Sequence, residues 1–557
     1  MATQREQSLL LTLVASWITM KSESTELLIQ NLTMWRAATS PDRQEPLAVG
    51  EAEGPRQEVW HRLGGPMARS VATSKQQAMN FVIFIPDEMR AESVSCYGHP
   101  LVRMPNYDRL AEEGVRFDQC HAQHPVCSPS RPSLMTGWYP HVAGHRTLWY
   151  LLRPHEPSLF RYLREAGYHI EWHGKNDLYA PEYFSLAVDH YDYGKSPGRI
   201  LRRNLHKLDD AAYYSFLFEP FPGKPEDTLD MGCVRAGIDF LRSRSARDKP
   251  FVLYLPTILP HPPYSAPQPY HDMYEIEDLP PLRPPDLPGK PDYHQLIRRY
   301  RRLDRLPEEH FAKIQAVYLG MCSYVDWILG QLLDALDETG LAEETTVIVC
   351  ADHGDWAGDY GLVEKWPSAL DDTITRVPLL IRAPGNAAGH TVEEQVELFD
   401  IMPTVLGLAS VEAQHTHFAH SLESQLHGEP GDPGRAVYAE GGYDAHQPHC
   451  FEGRWGEYGI PRSARHIYWP KGLQQQEHPE SVCRATMIRT LEHKLVRRPG
   501  GVSELYDLND DPRELQNVYD DPRFAEARTE LEYRMIDWYI HTSDVTPWDE
   551  NPRGLPG

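Results

Sequence analysis

Cys127 and Arg131 stand four residues apart in Cys127-Ser128-Pro129-Ser130-Arg131, followed at once by Pro132-Ser133-Leu134-Met135-Thr136-Gly137. At the mouth of a short helix, this places a reactive side chain and a fixed cation together above backbone N–H groups that attract an anion. The pattern points to chemistry on an oxyanion. A cysteine-based tyrosine phosphatase loop needs its arginine six residues after the cysteine, where this chain has Ser133, so that reading fails on spacing. A lone cysteine is otherwise most often a small buried hydrophobe, and the rest of the chain has to decide.

Two apolar runs end in groups suited to a cation. Asn80-Phe81-Val82-Ile83-Phe84-Ile85-Pro86 leads to Asp87-Glu88, and Thr346-Val347-Ile348-Val349-Cys350-Ala351 leads to Asp352-His353-Gly354. Buried parallel strands deliver ligands at their C-terminal ends, so the two pairs can meet beside Cys127 and hold one divalent ion. Oxygen-rich ligation favours calcium, and the imidazole admits manganese or zinc. Either pair alone reads as the cap of a turn or helix.

Cys-x-Pro-x-Arg followed by Thr136-Gly137 closely resembles the signature of the type I, formylglycine-dependent sulfatases of the alkaline phosphatase superfamily. The resemblance extends from Asn80 to about Asp520. Asp87 and Glu88 resemble that family's metal-binding acidic pair, whose second member is usually Asp, and Asp352-His353-Gly354 looks like the His-containing form of its later metal motif. Gly358-Asp359-Tyr360-Gly361-Leu362-Val363-Glu364-Lys365 resembles the segment whose lysine holds the sulfate. Lys175 resembles the lysine of Gly-Lys-x-His, with Asp177 standing where that motif has histidine. His261, in Pro260-His261-Pro262, is similar to the histidine that faces the leaving group, and Glu504-Leu505-Tyr506-Asp507-Leu508 with Asp511-Pro512 looks like the closing hairpin.

The resemblance implies catalytic roles for Cys127, Arg131, Lys175, His261 and Lys365, and a metal held by Asp87, Glu88, Cys127, Asp352 and His353. It also implies conversion of Cys127 to formylglycine by a formylglycine-generating enzyme, and a small-molecule or carbohydrate sulfate ester as substrate, hydrolysed as arylsulfatases do. Two rivals remain. One is a phosphonate monoester or phosphodiester hydrolase of the same superfamily; the other is a protein that binds sulfated ligands without turnover.

The elements that must position these groups alternate strand and helix. Pro105 to Gly114 reads as a helix, Val115-Arg116-Phe117 leads back to Cys127, Ser158 to Ala166 reads as a helix and Tyr168 to Trp172 as a strand. Further along come a strand at Phe251 to Leu255, a long helix from about Ala312 to Leu336 and, after the run Pro378 to Arg382, a helix opening at Leu398. Leu178 to Lys249 reads as a polar, irregular insertion near the site entrance. The expected fold is α/β, with a large, mostly parallel mixed sheet between helices in the alkaline phosphatase manner and a smaller C-terminal antiparallel sheet domain. The expected division is a disordered extension over 1–78, a catalytic domain over 79–420 and a C-terminal subdomain over 421–557.

Composition limits the partners. At 557 residues, 41% of them hydrophobic, the chain can bury a large core. A formal charge of −25 argues against nucleic acid, which needs a basic face. The apolar stretch from Ser8 to Met20 is too short and too interrupted to span a bilayer and lacks a small-residue exit. Eight cysteines with no C-x-x-C pair indicate neither a disulfide framework nor a zinc knuckle. A cytoplasmic location, free of membrane, is therefore expected, with secretion or a periplasmic location as the alternative.

Overall fold

The strand Asn80–Asp87 (β1) is buried along its whole length, as a strand with parallel neighbours and both faces covered must be. The computed structural model describes residues 79–193, 202–243, 249–444 and 462–548; the expected disordered extension, 1–78, lies outside them. From β1 the chain passes through the helix Pro105–Glu113 (α1), with Pro in its first turn, to the strand Val115–His121 (β2) and the helix Cys127–Thr136 (α2). Leu159–Glu165 (α3) precedes two strands, His169–His173 (β3) and His190–Asp192 (β4).

The stretch expected to be an irregular insertion contains a helix, Leu229–Arg242 (α4). Thr228 caps it, its hydroxyl accepting from the Met231 N–H at 3.1 Å. Met231, Val234, Ile238 and Leu241 supply the helical apolar stripe that packs toward the sheet. The surrounding polar residues masked this period in the sequence.

Phe251–Pro260 (β5) and the helix Glu308–Thr339 (α5) follow. The helix α5 starts four residues before the expected position and ends three after it. Pro307 and the acidic pair Glu308-Glu309 suit a helix start, and Gly340, at φ +70°, supplies the left-handed stop. It is the one helix among the described residues long and apolar enough to cross a membrane, and 89% of its most apolar window is buried within the protein. Its Gly320 approaches the Tyr270 carbonyl so closely that a Cβ there would lie 2.0 Å from the oxygen.

Thr345–Cys350 (β6), Arg376–Val377 (β7), Leu379–Arg382 (β8) and His390–Glu397 (β9) complete the large sheet, and Ile401–Leu408 (α6) follows them. Among the described residues this sheet has the order β4-β3-β5-β1-β6-β8-β2-β7, with β9 also paired to β2. The strands β4, β3, β5, β1 and β6 pair in parallel, while β8 runs antiparallel to both β6 and β2.

Val437–Gly441 (β10), Ala485–Arg489 (β11), His493–Arg497 (β12) and Glu504–Asp507 (β13) form a second, antiparallel sheet in sequence order. The β12–β13 hairpin turns through Gly500-Gly501. Tyr139 and Phe399 pack with Ile488, Leu495, Leu505 and Trp538, and Leu370 packs with Ala439 and Met487. Apolar contacts therefore bridge the stretch where a division near 420 was expected.

The end of β3 has a strict backbone requirement. Gly174 sits at φ +137°, and a Cβ there would lie 2.1 Å from the Pro256 carbonyl oxygen of β5. Gly174→Ala is therefore expected to destabilise the protein by about 2 kcal/mol or more. An unchanged denaturant midpoint would show that the strand end can relax.

Candidate active site

Four parallel strands end on one edge of the large sheet, and each delivers a polar group there. Lys175 follows β3, His261 follows β5, Asp87 ends β1 with Glu88 next to it, and Asp352 and His353 follow β6. The helix α2 brings the remaining pair. Val126 is extended at φ −133°, Cys127 opens the helix, and Gly137 ends it at φ +65°. All ten residues of α2 are buried. The Ser130 hydroxyl donates to the Asp352 carbonyl at 2.7 Å, which fixes the helix start against the end of β6.

Cys127 Sγ lies 3.3 Å from Asp87 Oδ1, 3.1 Å from His353 Nε2 and 3.6 Å from Lys175 Nζ. Arg131 bridges the two strand ends behind it, with Nε donating to Asp352 Oδ2 at 2.9 Å and Nη2 to Asp87 Oδ2 at 3.1 Å. Its Nη1 is buried without a partner. Lys175 also donates to Asp87 and pairs with Asp177 at 2.7 Å.

A second cluster adjoins the first. Lys365 Nζ donates to Glu88 Oε2 at 2.7 Å and to His261 Nε2 at 2.8 Å. His261 Nδ1 lies 2.6 Å from the Pro262 carbonyl and so carries the ring proton, leaving Nε2 as the acceptor. His353 is arranged similarly: Nδ1 donates to the Gly354 carbonyl at 2.9 Å, and the Nε2 lone pair faces Cys127.

Burial sets the electrostatics, and the cations modify it. Burial pushes the Asp87 carboxyl up, but Lys175, helped by His261, Arg131 and Lys365, outweighs it and holds the group well below the usual carboxylate range. For Glu88 burial wins: its carboxyl is pushed well above the usual range, with Lys365 opposing and Asp355 and Glu364 adding to the rise. Burial also pushes the Cys127 thiol well up, so the unmodified side chain is not poised as a thiolate. His261 and His353 are held low, by burial first, then by Lys365 for His261.

Asp87, Cys127, Asp352 and His353 each present a ligand atom within 4.8 Å of the others. Glu88 belongs to a separate group with Asp87 and His261. Its Oε1 is buried without any hydrogen-bond partner, an uncompensated oxygen in the group with Asp87 that a cation would satisfy. These donors fit a hard divalent ion with one imidazole ligand.

Access is one-sided. Cys127, Arg131, Asp87, Glu88, Asp352 and His353 are essentially buried, whereas Lys175, Asp177 and His261 keep 17–19% of their side-chain surface open. An incoming anion meets those three first.

Sequence reasoning did not reach Ser130, although it lies inside the opening pattern, nor Glu364. Glu364 has φ +65°, accepts from Arg301 Nη2 at 2.8 Å and Lys471 Nζ at 3.1 Å, and donates its own N–H to the Tyr264 hydroxyl at 3.0 Å. These contacts fix the backbone from which Lys365 projects. Its only signal in the sequence was adjacency to Lys365.

A sulfatase family model matches residues 79–411, and a model of the C-terminal part of N-sulphoglucosamine sulphohydrolase matches residues 471–540. An uncharacterized sulfatase of Escherichia coli K12, YidJ, is 26% identical over 503 residues, covering 86% of this chain and 92% of that protein. Iduronate 2-sulfatase of Mus musculus is 29% identical over 391 residues, covering 61% and 70%. Phosphonate monoester hydrolase of Agrobacterium radiobacter has the same fold, with a TM-score of 0.67 at 22% identity over 83% of this chain and 96% of its own.

Arg131 is the counter-charge to two buried carboxylates, and removing one partner of a buried ion pair leaves the other uncompensated. Arg131→Ala is expected to cost about 3–5 kcal/mol, read by chemical denaturation of metal-stripped protein. A loss below about 1 kcal/mol would mean that Lys175 alone balances the site.

Proposed function

The chain belongs to the sulfatase family, and from that premise we propose that it hydrolyses sulfate monoesters with formylglycine, formed from Cys127, as the nucleophile. The observation that carries the reading is the position of Cys127: Asp87, His353 and Lys175 surround its Sγ at 3.1–3.6 Å, at the start of a buried helix whose Arg131 ties two strand ends together.

A sulfate monoester resists attack because its oxygens repel the nucleophile and its alkoxide leaves poorly. An aldehyde hydrate at position 127 supplies two hydroxyls on one carbon, one to attack sulfur and one to expel sulfate as the aldehyde re-forms, an exit that a serine or thiol lacks. A divalent ion held by Asp87, Asp352, His353 and the oxygen at position 127, calcium first by its oxygen donors, supplies neutralisation of charge on a sulfate oxygen.

The chain's own groups do the rest. Sγ stands in for a hydrate oxygen, and Asp87 Oδ1, 3.3 Å away, is placed to accept its proton. Lys175 and Lys365 flank the approach and neutralise the sulfate oxygens; fixed donors of this kind are worth about 10²–10³ in rate each. Arg131 holds the carboxylates in place. His261, part-exposed on the access side with its Nε2 2.8 Å from Lys365 Nζ, is placed to protonate the departing alcohol oxygen.

Asp177 bears on the choice of anion. Paired at 2.7 Å with Lys175, it compensates one of the cations that an incoming anion meets first, which disfavours a dianionic phosphate monoester most. The same fold in a phosphonate monoester hydrolase keeps phosphonate monoesters and phosphodiesters as the second reading. The names of iduronate 2-sulfatase and N-sulphoglucosamine sulphohydrolase favour a sulfated carbohydrate as the natural substrate.

With formylglycine-bearing protein and nitrophenyl esters, kcat/KM is expected to rank sulfate first, phosphonate monoester or phosphodiester second and phosphate monoester last. Asp177→Asn is expected to narrow the gap to the phosphate monoester. If the phosphonate or diester exceeds the sulfate by more than about tenfold, roughly 1.4 kcal/mol of transition-state preference, the sulfatase reading gives way to the second one. His261→Ala is expected to cost about 10²–10⁴ in kcat on alkyl sulfates, whose leaving group needs a proton, and far less on nitrophenyl sulfate. Equal losses on both would remove the general-acid role.

A further inference from the structure

The edge strands of the large sheet carry a second group of metal-ligating side chains, on the outer side of Lys175. In β3, residues 169, 171 and 173 are His, Glu and His, and the two-residue period of a strand puts all three on one face. On the other face Ile170 and Trp172 are fully buried. The outermost strand, β4, places His190 directly beside Glu171 in parallel register. Glu171 Oε1 lies 2.6 Å from His190 Nδ1 and 2.9 Å from His173 Nε2, and Glu171 Oε2 lies 2.8 Å from His169 Nε2.

His173 marks this cluster as more than a hydrogen-bonded histidine patch. It is 3% exposed, yet neither ring nitrogen makes a hydrogen bond, and Nε2 has only its 2.9 Å ion-pair approach to Glu171. A buried imidazole left unsatisfied beside a carboxylate is costly. A metal ion bound through Nε2 would satisfy that nitrogen. Burial pushes the Glu171 carboxyl up, but the imidazoles around it outweigh this and hold it down at about 2, so it stays anionic.

We infer that Glu171, His173 and His190 form a second metal site, separate from the one at Cys127, and that it takes zinc. The three ligand atoms lie within 4.8 Å of one another. Zinc–ligand bonds of about 2.0–2.1 Å in a tetrahedron need ligand atoms about 3.3 Å apart. The separations of Glu171 from His190 and from His173 reach this by opening less than about 1 Å, and His190, with over half its side chain exposed, is free to make that movement. Two imidazoles and one carboxylate suit zinc and not calcium. The fourth position falls to water or to His169. Such an ion clasps β4, a three-residue edge strand, onto the end of β3, immediately before Gly174 and Lys175.

The test uses metal-stripped full-length protein with calcium in excess, titrated with Zn²⁺ by calorimetry. Wild type is expected to bind one zinc that His190→Ala and Glu171→Gln weaken at least about tenfold. Asp352→Asn is expected to keep that zinc, and His190→Ala to keep wild-type turnover. Because His190 is largely exposed, its replacement spares the fold, and an unchanged melting temperature without zinc checks this. Zinc binding unaltered in both His190→Ala and Glu171→Gln, or lost only in Asp352→Asn, would overturn the second site. So would wild-type protein that takes up no zinc.

Discussion

The Asp87 carboxylate is fully buried and meets Arg131, Lys175, Cys127 and, at 3.8 Å, His353. A buried charge is tolerated only when paired, so the position of each of these groups constrains the others. Arg131 reaches both Asp87 and Asp352, which ties adjacent strands β1 and β6 at their ends. Lys175 brings in the end of β3 from two strands away. The site is thus an electrostatic balance among strand ends, and the large sheet exists in the register that lets them meet.

That register explains why the chemistry collects on one edge. Parallel strands all point the same way, so four consecutive neighbours present their C-terminal residues together. Antiparallel β8 interrupts the run, and beyond it β2 again runs parallel to β6 and leads through a short connection to Cys127. The nucleophile position and the cation-binding carboxylates therefore come from opposite sides of β8 in the sheet and converge at one edge. Glu364, pinned by Arg301 and Lys471, holds Lys365 over the remaining side.

The parts legible in the sequence were those with a local signal. Apolar runs located β1, β5 and β6, proline and glycine bounded α1, and the spacing of Cys127 and Arg131 placed α2. The family resemblance then named the residues that the structure brings together around Cys127. Helix α4 was not legible because its stripe is diluted by charged residues, although Thr228 and the spacing of Met231, Val234, Ile238 and Leu241 encode it. Glu88 could not be separated from Asp87 by sequence, since adjacent residues at a strand end diverge only in three dimensions: Asp87 turns to Arg131 and Cys127, Glu88 to Lys365 and His261. The ion pairs of Glu364 span 63 and 107 residues and leave no local trace.

The central claim is that Cys127 is the precursor of the nucleophile and not a structural thiol. It is tested most directly by the mass of the peptide containing Cys127, from protein produced together with a formylglycine-generating enzyme. The account predicts conversion of the thiol to an aldehyde at this cysteine and not at the others, with sulfate ester turnover rising in proportion to the converted fraction. A thiol that stays intact under those conditions, or turnover independent of conversion, would contradict it.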